Sequence, residues 1–189
     1  MAEEGLSLLN KLVKFAKAFG GAGNKGGDTK SEEIIIDKYN ISQGALDSFS
    51  ETVAGIESDY GENLENPDST AKGIYQFTDA TFDTAVQRTI NLYKSAGESI
   101  PTWLTDAKKK GASIMSLTDD QQRDLFFGNL QQQLTKRKGN PSTMDLLKEY
   151  DQGNEFAGFD LFAEYHHTKG YDSPTKERAY SFFGINPEE

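Results

Sequence analysis

The stretch Ala54–Phe77, AGIESDYGENLENPDSTAKGIYQF, decides how the rest of the chain is read. It starts as the end of an amphipathic helix, crosses a region crowded with turn formers, and closes on Gly73-Ile74-Tyr75-Gln76-Phe77. Upstream, Leu46, Phe49, Val53, Ile56 and Tyr60 form the apolar stripe of a helix predicted over Gln43–Tyr60. At about 100° per residue from Leu46, Val53 falls at roughly 340°, Ile56 at roughly 280° and Glu57 at roughly 20°. Glu57 therefore points toward the apolar side, whereas Asp47, Ser50, Glu51 and Asp59 point elsewhere. It also stands in the last helical turn, where the macrodipole disfavours negative charge. Partial burial and that dipole both favour the protonated carboxyl, the form a general acid needs. A glutamate here can equally turn its head to solvent at the helix end, and periodicity leaves both readings open.

Composition narrows the function. The chain has 189 residues, 35% hydrophobic and 11% aromatic, enough for one core and some extra segment. A net charge of -10 argues against nucleic acid as a partner, since phosphate binding needs clustered Lys and Arg. With no cysteine there are neither disulfides nor thiolate metal sites. No apolar run approaches the ~20 residues that span a bilayer. The N-terminus lacks the pattern of a Sec signal, so an action outside the cytoplasm implies another route of delivery.

Residues 6–19, LSLLNKLVKFAKAF, put Leu8, Leu9, Leu12, Val13, Phe15, Ala16 and Phe19 on one half of a helical wheel and Lys11, Lys14 and Lys17 on the other. Such a helix can lie at a membrane interface, dock into a partner's groove or pack on its own domain. The glycine-rich run that follows contains Gly21-x-Gly23-x-x-Gly26, formally a dinucleotide fingerprint. That motif needs a strand before it and a helix at its end; a tether fits better. The expected organisation is an amphipathic helix over 1–19, a linker over 20–33 and a catalytic domain over 34–189. Within that domain Ile34–Ile36 is too short to assign. Helices are predicted over Asp79–Ala96, from a Thr118/Gln121 capping box to beyond Leu134, over Ser142–Tyr150 and over Glu155–Lys169. A small irregular β-hairpin is expected between Tyr60 and Lys72, where Gly61, Asn63, Asn66, Pro67, Asp68 and Ser69 gather.

Sixteen positions after Glu57, the first residue of Glu57-Ser58, comes Gly73-Ile74-Tyr75-Gln76-Phe77, followed by Ala80-Thr81. This pattern resembles the lytic transglycosylases of the goose-type lysozyme-like superfamily. Their signature is Glu-Ser at a helix end, a turn-rich loop, Gly-Leu-Met-Gln-Phe and a Pro-Ala-Thr segment opening the next helix. Tyr75 replaces the usual Met, and Asp79 the usual Pro. The family's third motif finds its nearest match in Ala163–Gly170, similar to a Tyr-x-x-His-x-x-Gly form of phage-type members but with one residue fewer between Tyr165 and His167. The resemblance covers residues from about 45 to about 170. It implies a mainly α, lysozyme-like α+β domain with a small irregular hairpin, preceded by the tethered helix.

The chemistry implied is cleavage of the β-1,4 bond between N-acetylmuramic acid and N-acetylglucosamine in peptidoglycan, without cofactor or metal. Glu57 is the catalytic acid and base of the resemblance. Tyr75 and Gln76 line the cleft, Ser58 hydrogen-bonds locally beside the substrate, and Tyr165 holds Glu57 from the opposite wall. A second carboxylate, for which Asp68 is the best placed of Asp59, Glu62, Glu65 and Asp68, would instead give a hydrolytic muramidase. A non-catalytic virion or membrane-interacting protein on the same scaffold is the alternative from another class. The expected partners are glycan strands, and membrane or virion proteins through residues 6–19; the expected place of action is a virion or the host periplasm and cell wall. Trp103 is either a sugar-stacking ring or a core residue. His166-His167 lacks the spacing of a metal site.

Overall fold

Several of the described helices begin where the chain offers a hydroxyl to their first turn. Thr29, Ser42, Thr78 and Ser142 each accept a backbone N–H from three residues on, satisfying a donor the helix itself cannot pair. A computed structural model describes residues 29–67, 69–136, 142–166 and 173–183. These caps open α1 (Lys30–Tyr39), α2 (Gln43–Ser58), α3 (Asp79–Ala96) and, after two intervening helices, α6 (Thr143–Asp151). Those two are α4 (Thr102–Ala107) and α5 (Asp119–Lys136), separated by a 3-10 turn at Ile114–Ser116. The last described helices are α7 (Glu155–His166) and α8 (Ser173–Phe183).

The fold is mainly α, and no strand forms among the described residues. The expected hairpin is reduced to two single antiparallel bridges, Glu65 with Lys72 and Lys72 with Phe77. Turn formers and positive φ angles curl this segment before a ladder can extend.

The core is organised around α5. Asp124 through Leu130 are buried without interruption, so this helix presents no solvent face there and must be surrounded. Leu125, Phe126, Phe127 and Leu130 are its largest contributions. Gly128 admits α3 at close range, since a Cβ there would stand 2.9 Å from the Thr89 Cα. On its other sides α5 meets α1 and α6, while α2 packs against α6, α8 and α1. Thr118 and Gln121 form the expected capping box at the start of α5, with bonds of 3.0 and 3.3 Å.

Helix α1 begins three residues before residue 33, where the linker was expected to end. Thr29 and Glu32 form a capping box, so residues 30–33 are helix, and the described fold already includes Thr29, a buried residue. The stretch Ile34–Ile36 lies inside that helix. Glu32 has no solvent exposure and receives Arg123 Nη2 at 2.6 Å and Nε at 3.1 Å. Arg123 also pairs with Asp47 of α2, and Gln43 Nε2 donates to both carboxylates, at 3.1 and 2.9 Å. Burial works against the guanidinium charge, but the hydrogen bonds and charge of Glu32 outweigh it and raise the Arg123 pKa. Beside this cluster, Asp124 accepts from Ser31 N at 2.8 Å and from the Tyr93 hydroxyl at 2.6 Å. The amphipathic stretch 6–19 and the glycine-rich run 20–28 lie outside the described residues.

Arg123→Ala leaves Glu32 as a buried carboxylate with no cation. The expected loss is about 3–5 kcal/mol in urea unfolding. The double variant Glu32→Leu/Arg123→Met, which removes both buried charges together, should recover most of that loss.

Candidate active site

Helix α2 gives Glu57 one of the two placements that periodicity leaves open. Leu46, Phe49, Val53 and Ile56 are buried, and Glu57, next to Leu46 at the edge of the apolar arc, is half-buried with its Oε1 atom closed off from solvent. Ser50, expected to point away from the core, is fully buried; at roughly 40° on the same wheel it borders the apolar arc.

The helix stops two residues before the predicted end. Asp59, Tyr60 and Gly61 take φ angles of 50, 58 and 89°, a left-handed run that only glycine adopts without strain. Ser58 sits under this turn, 1% exposed. Its hydroxyl donates to the Ala54 carbonyl at 3.0 Å and accepts Gly61 N at 2.9 Å. Its own carbonyl accepts Asn63 N at 2.9 Å. The hydrogen-bonding role foreseen for Ser58 thus falls on the backbone, and its side chain has no face for substrate.

The second motif is a tight turn. Lys72 and Phe77 exchange backbone hydrogen bonds of 3.0 and 2.9 Å, and Gln76 N reaches the Gly73 carbonyl at 3.1 Å. Gly73 has φ +80°, a conformation in which any side chain would be strained. Gln76 follows at φ 47°, and its Nε2 donates to the Asn63 carbonyl at 3.1 Å and the Gly73 carbonyl at 3.0 Å. Two carbonyls can be met only by the amide nitrogen, which fixes the orientation of the group. Both Nε2 protons are thereby committed, and what the half-exposed Gln76 offers a ligand is its Oε1 acceptor.

Tyr75 does not line a cleft. It is 1% exposed, with its ring stacked 4.4 Å from that of Phe126, and burial raises the pKa of its phenol. A ring of this size pointing inward from the turn becomes a core residue. Trp103 is half-buried and packs against the same core. Tyr165 lies in the last turn of α7, but its side chain, like Asp68 and His167, is outside the described residues. Glu62 and Glu65 in the loop are exposed. Among the described residues no group of three His, Asp or Glu could hold a metal ion.

One carboxyl near this helix end was missed by sequence reading. Burial pushes Glu51 up to about 7, Asp47 adds to the shift and Arg123 opposes it. A Cβ on Gly55 would stand 2.6 Å from the Phe182 ring and 2.9 Å from Tyr60 Cζ, so both rings occupy the space that glycine leaves. Burial raises the Tyr60 pKa, with the charges of Glu51 and Asp59 adding to it. The signal available in the sequence was the pair Asp47 and Glu51, like charges one turn apart on a helix.

No family model, curated protein or solved structure matches the chain. The residues themselves therefore carry the functional reading.

Glu51 makes stability depend on pH. Its folded pKa, about 7, lies above its ordinary value of 4.5, so the folded state binds the extra proton between those values and loses stability as pH rises through that window. Glu51→Gln removes the charge. It should melt higher than wild type at pH 8, and the gap should close by pH 5; equal gaps at both pH values would count against a shifted Glu51.

Proposed function

We propose that this chain is a peptidoglycan lytic transglycosylase in which Glu57 acts alone as acid and base. The observation that carries the reading is the union of its two motif segments. Glu57 stands in the last turn of α2 with one carboxyl oxygen out of water. The next residue, Ser58, is tied through Asn63 and Gln76 to the Gly73–Gln76 turn. As a general acid Glu57 would begin the reaction with a proton on its carboxyl.

In the proposed reaction Glu57 gives that proton to the bridging oxygen as the bond from muramoyl C1 breaks, releasing N-acetylglucosamine at that end. The substrate's acetamido group stabilises the cationic C1, so no second protein carboxylate is required. The Glu57 carboxylate then takes the proton of the muramoyl 6-hydroxyl, and O6 closes on C1 to form the 1,6-anhydro ring. The proton balance returns Glu57 to its starting state, and no water enters. Gln76 Oε1 accepts a hydrogen bond from a sugar hydroxyl or amide N–H. Residues 6–19 are assigned to contact with a membrane or virion proteins, which would bring the enzyme to the cell wall.

Purified peptidoglycan digested with wild type should give muropeptides lighter by one water than hydrolytic products, as read by mass spectrometry. Glu57→Gln, with its fold checked by circular dichroism, should slow release by about 10²–10⁴-fold. Free reducing ends would mean hydrolysis. No Glu57-dependent release from several wall types would leave a non-catalytic scaffold.

A further inference from the structure

The carboxamide of Gln122 lies inside the molecule, 4% exposed, where the Gly73–Gln76 turn meets the first turn of α5. Its Oε1 accepts Ile74 N at 2.9 Å, and its Nε2 donates to the Leu117 carbonyl at 3.3 Å. A Cβ on Gly73 would stand 2.5 Å from that same Oε1. Glycine at 73 is therefore required twice, by its backbone angle and by the head of Gln122. The donor side is equally constrained, because a buried N–H or carbonyl deprived of its partner is costly. Gln122 N is itself bonded to the Thr118 carbonyl at 2.9 Å, so the carboxamide is presented from a capped, rigid helix start.

The turn is thus held at two edges. Gln122 pins it to α5 through Ile74. Gln76 pins it to Asn63, whose N–H is bonded to Ser58 O, one residue beyond Glu57. We propose that Gln122 is a positioning residue for glycosidic bond cleavage, setting the distance between the Gly73–Gln76 wall and the Glu57 carboxyl. The proposal rests on the transglycosylase reading given above. Gln122 touches no substrate; it acts through Ile74 and the orientation of Gln76. Only a carboxamide supplies an acceptor for Ile74 and a donor for Leu117 at this spacing. Methionine matches its length but leaves both backbone groups unpaired.

The test compares wild type, Gln122→Met and Gln122→Asn on soluble, un-cross-linked peptidoglycan strands, well below each melting temperature. A shift of the wall by about 1 Å lowers the rate up to about 10²-fold, so kcat should fall about 10- to 100-fold in Gln122→Met with KM within about threefold. Gln122→Asn keeps both hydrogen-bonding groups on a shorter stem and should fall between it and wild type. It also serves if the methionine variant fails to fold. In ¹⁵N NMR spectra the changes should centre on the Ile74 amide and the Gln76 side-chain amide. Wild-type kcat in a variant that is merely less stable would overturn the proposal. An inactive wild type would overturn the enzymatic reading and with it the effect on rate; undisturbed Ile74 and Gln76 signals in the variants would show separately that Gln122 does not anchor the turn.

Discussion

The end of α2 is where the folding problem and the chemistry meet. A helix that stops at Ser58 leaves its last carbonyls without intrahelical partners, and the chain answers by turning left-handed for three residues. Two of them, Asp59 and Tyr60, are not glycine, and such a conformation costs roughly 1–2 kcal/mol per residue. Against this stand the bonds of Tyr60 N to the Ala54 carbonyl, Gly61 N to Ser58 and Asn63 N to Ser58. At about 1 kcal/mol net for each, they offset the backbone cost. The Tyr60 ring laid against Gly55 adds burial on top. Because the turn is held in this way, Glu57 keeps its place beside the apolar arc instead of fraying into solvent with the helix end.

A different logic governs the Glu32, Arg123 and Asp47 cluster. Buried ion pairs seldom stabilise relative to apolar residues of the same size, because desolvation consumes most of the Coulomb gain. Their value here is in register. Arg123 is one turn into α5, and only one placement of α1 and α2 brings Glu32 and Asp47 to the same guanidinium. A neighbouring residue on that turn of α5, Gln122, grips the Gly73–Gln76 turn. The helix that organises the core therefore also aligns α2 with the Gly73–Gln76 turn.

Much of this was legible in the chain. The Thr118/Gln121 capping box, the stop at Gly97 and the apolar spacing of these segments gave helices whose observed ends differ by at most a residue or two. The wheel angle of Glu57 left burial and solvent exposure open, and packing at the helix end half-buries it. The failures have physical causes. Thr29-x-x-Glu32 was hidden by the glycine-rich run before it, and Glu32 faces a partner 91 positions away, a distance no local pattern encodes. Tyr75 was given a cleft position by resemblance, yet whether a turn residue faces inward depends on the φ values of Gly73 and Gln76. The raised pKa of Glu51 arises from packing around it as well as from Asp47, and packing is invisible to a periodicity argument.

In the proposed one-carboxyl mechanism the substrate supplies its own stabilising group and its own nucleophile, which leaves the protein mainly the task of geometry. The side chains fit that division. Ser58 is occupied by the helix end, Tyr75 by the core and both protons of Gln76 by backbone carbonyls. Residues chosen from the motif as substrate contacts are thus largely holding the backbone in shape. In that proposal Glu57 transfers the proton and Gln76 Oε1, whose amide protons are engaged, accepts from the sugar. On the same proposal, discrimination among glycans would favour ligands that present a donor to that oxygen. A sugar offering only an acceptor there would bring two lone pairs together and be rejected by repulsion as well as by a lost bond.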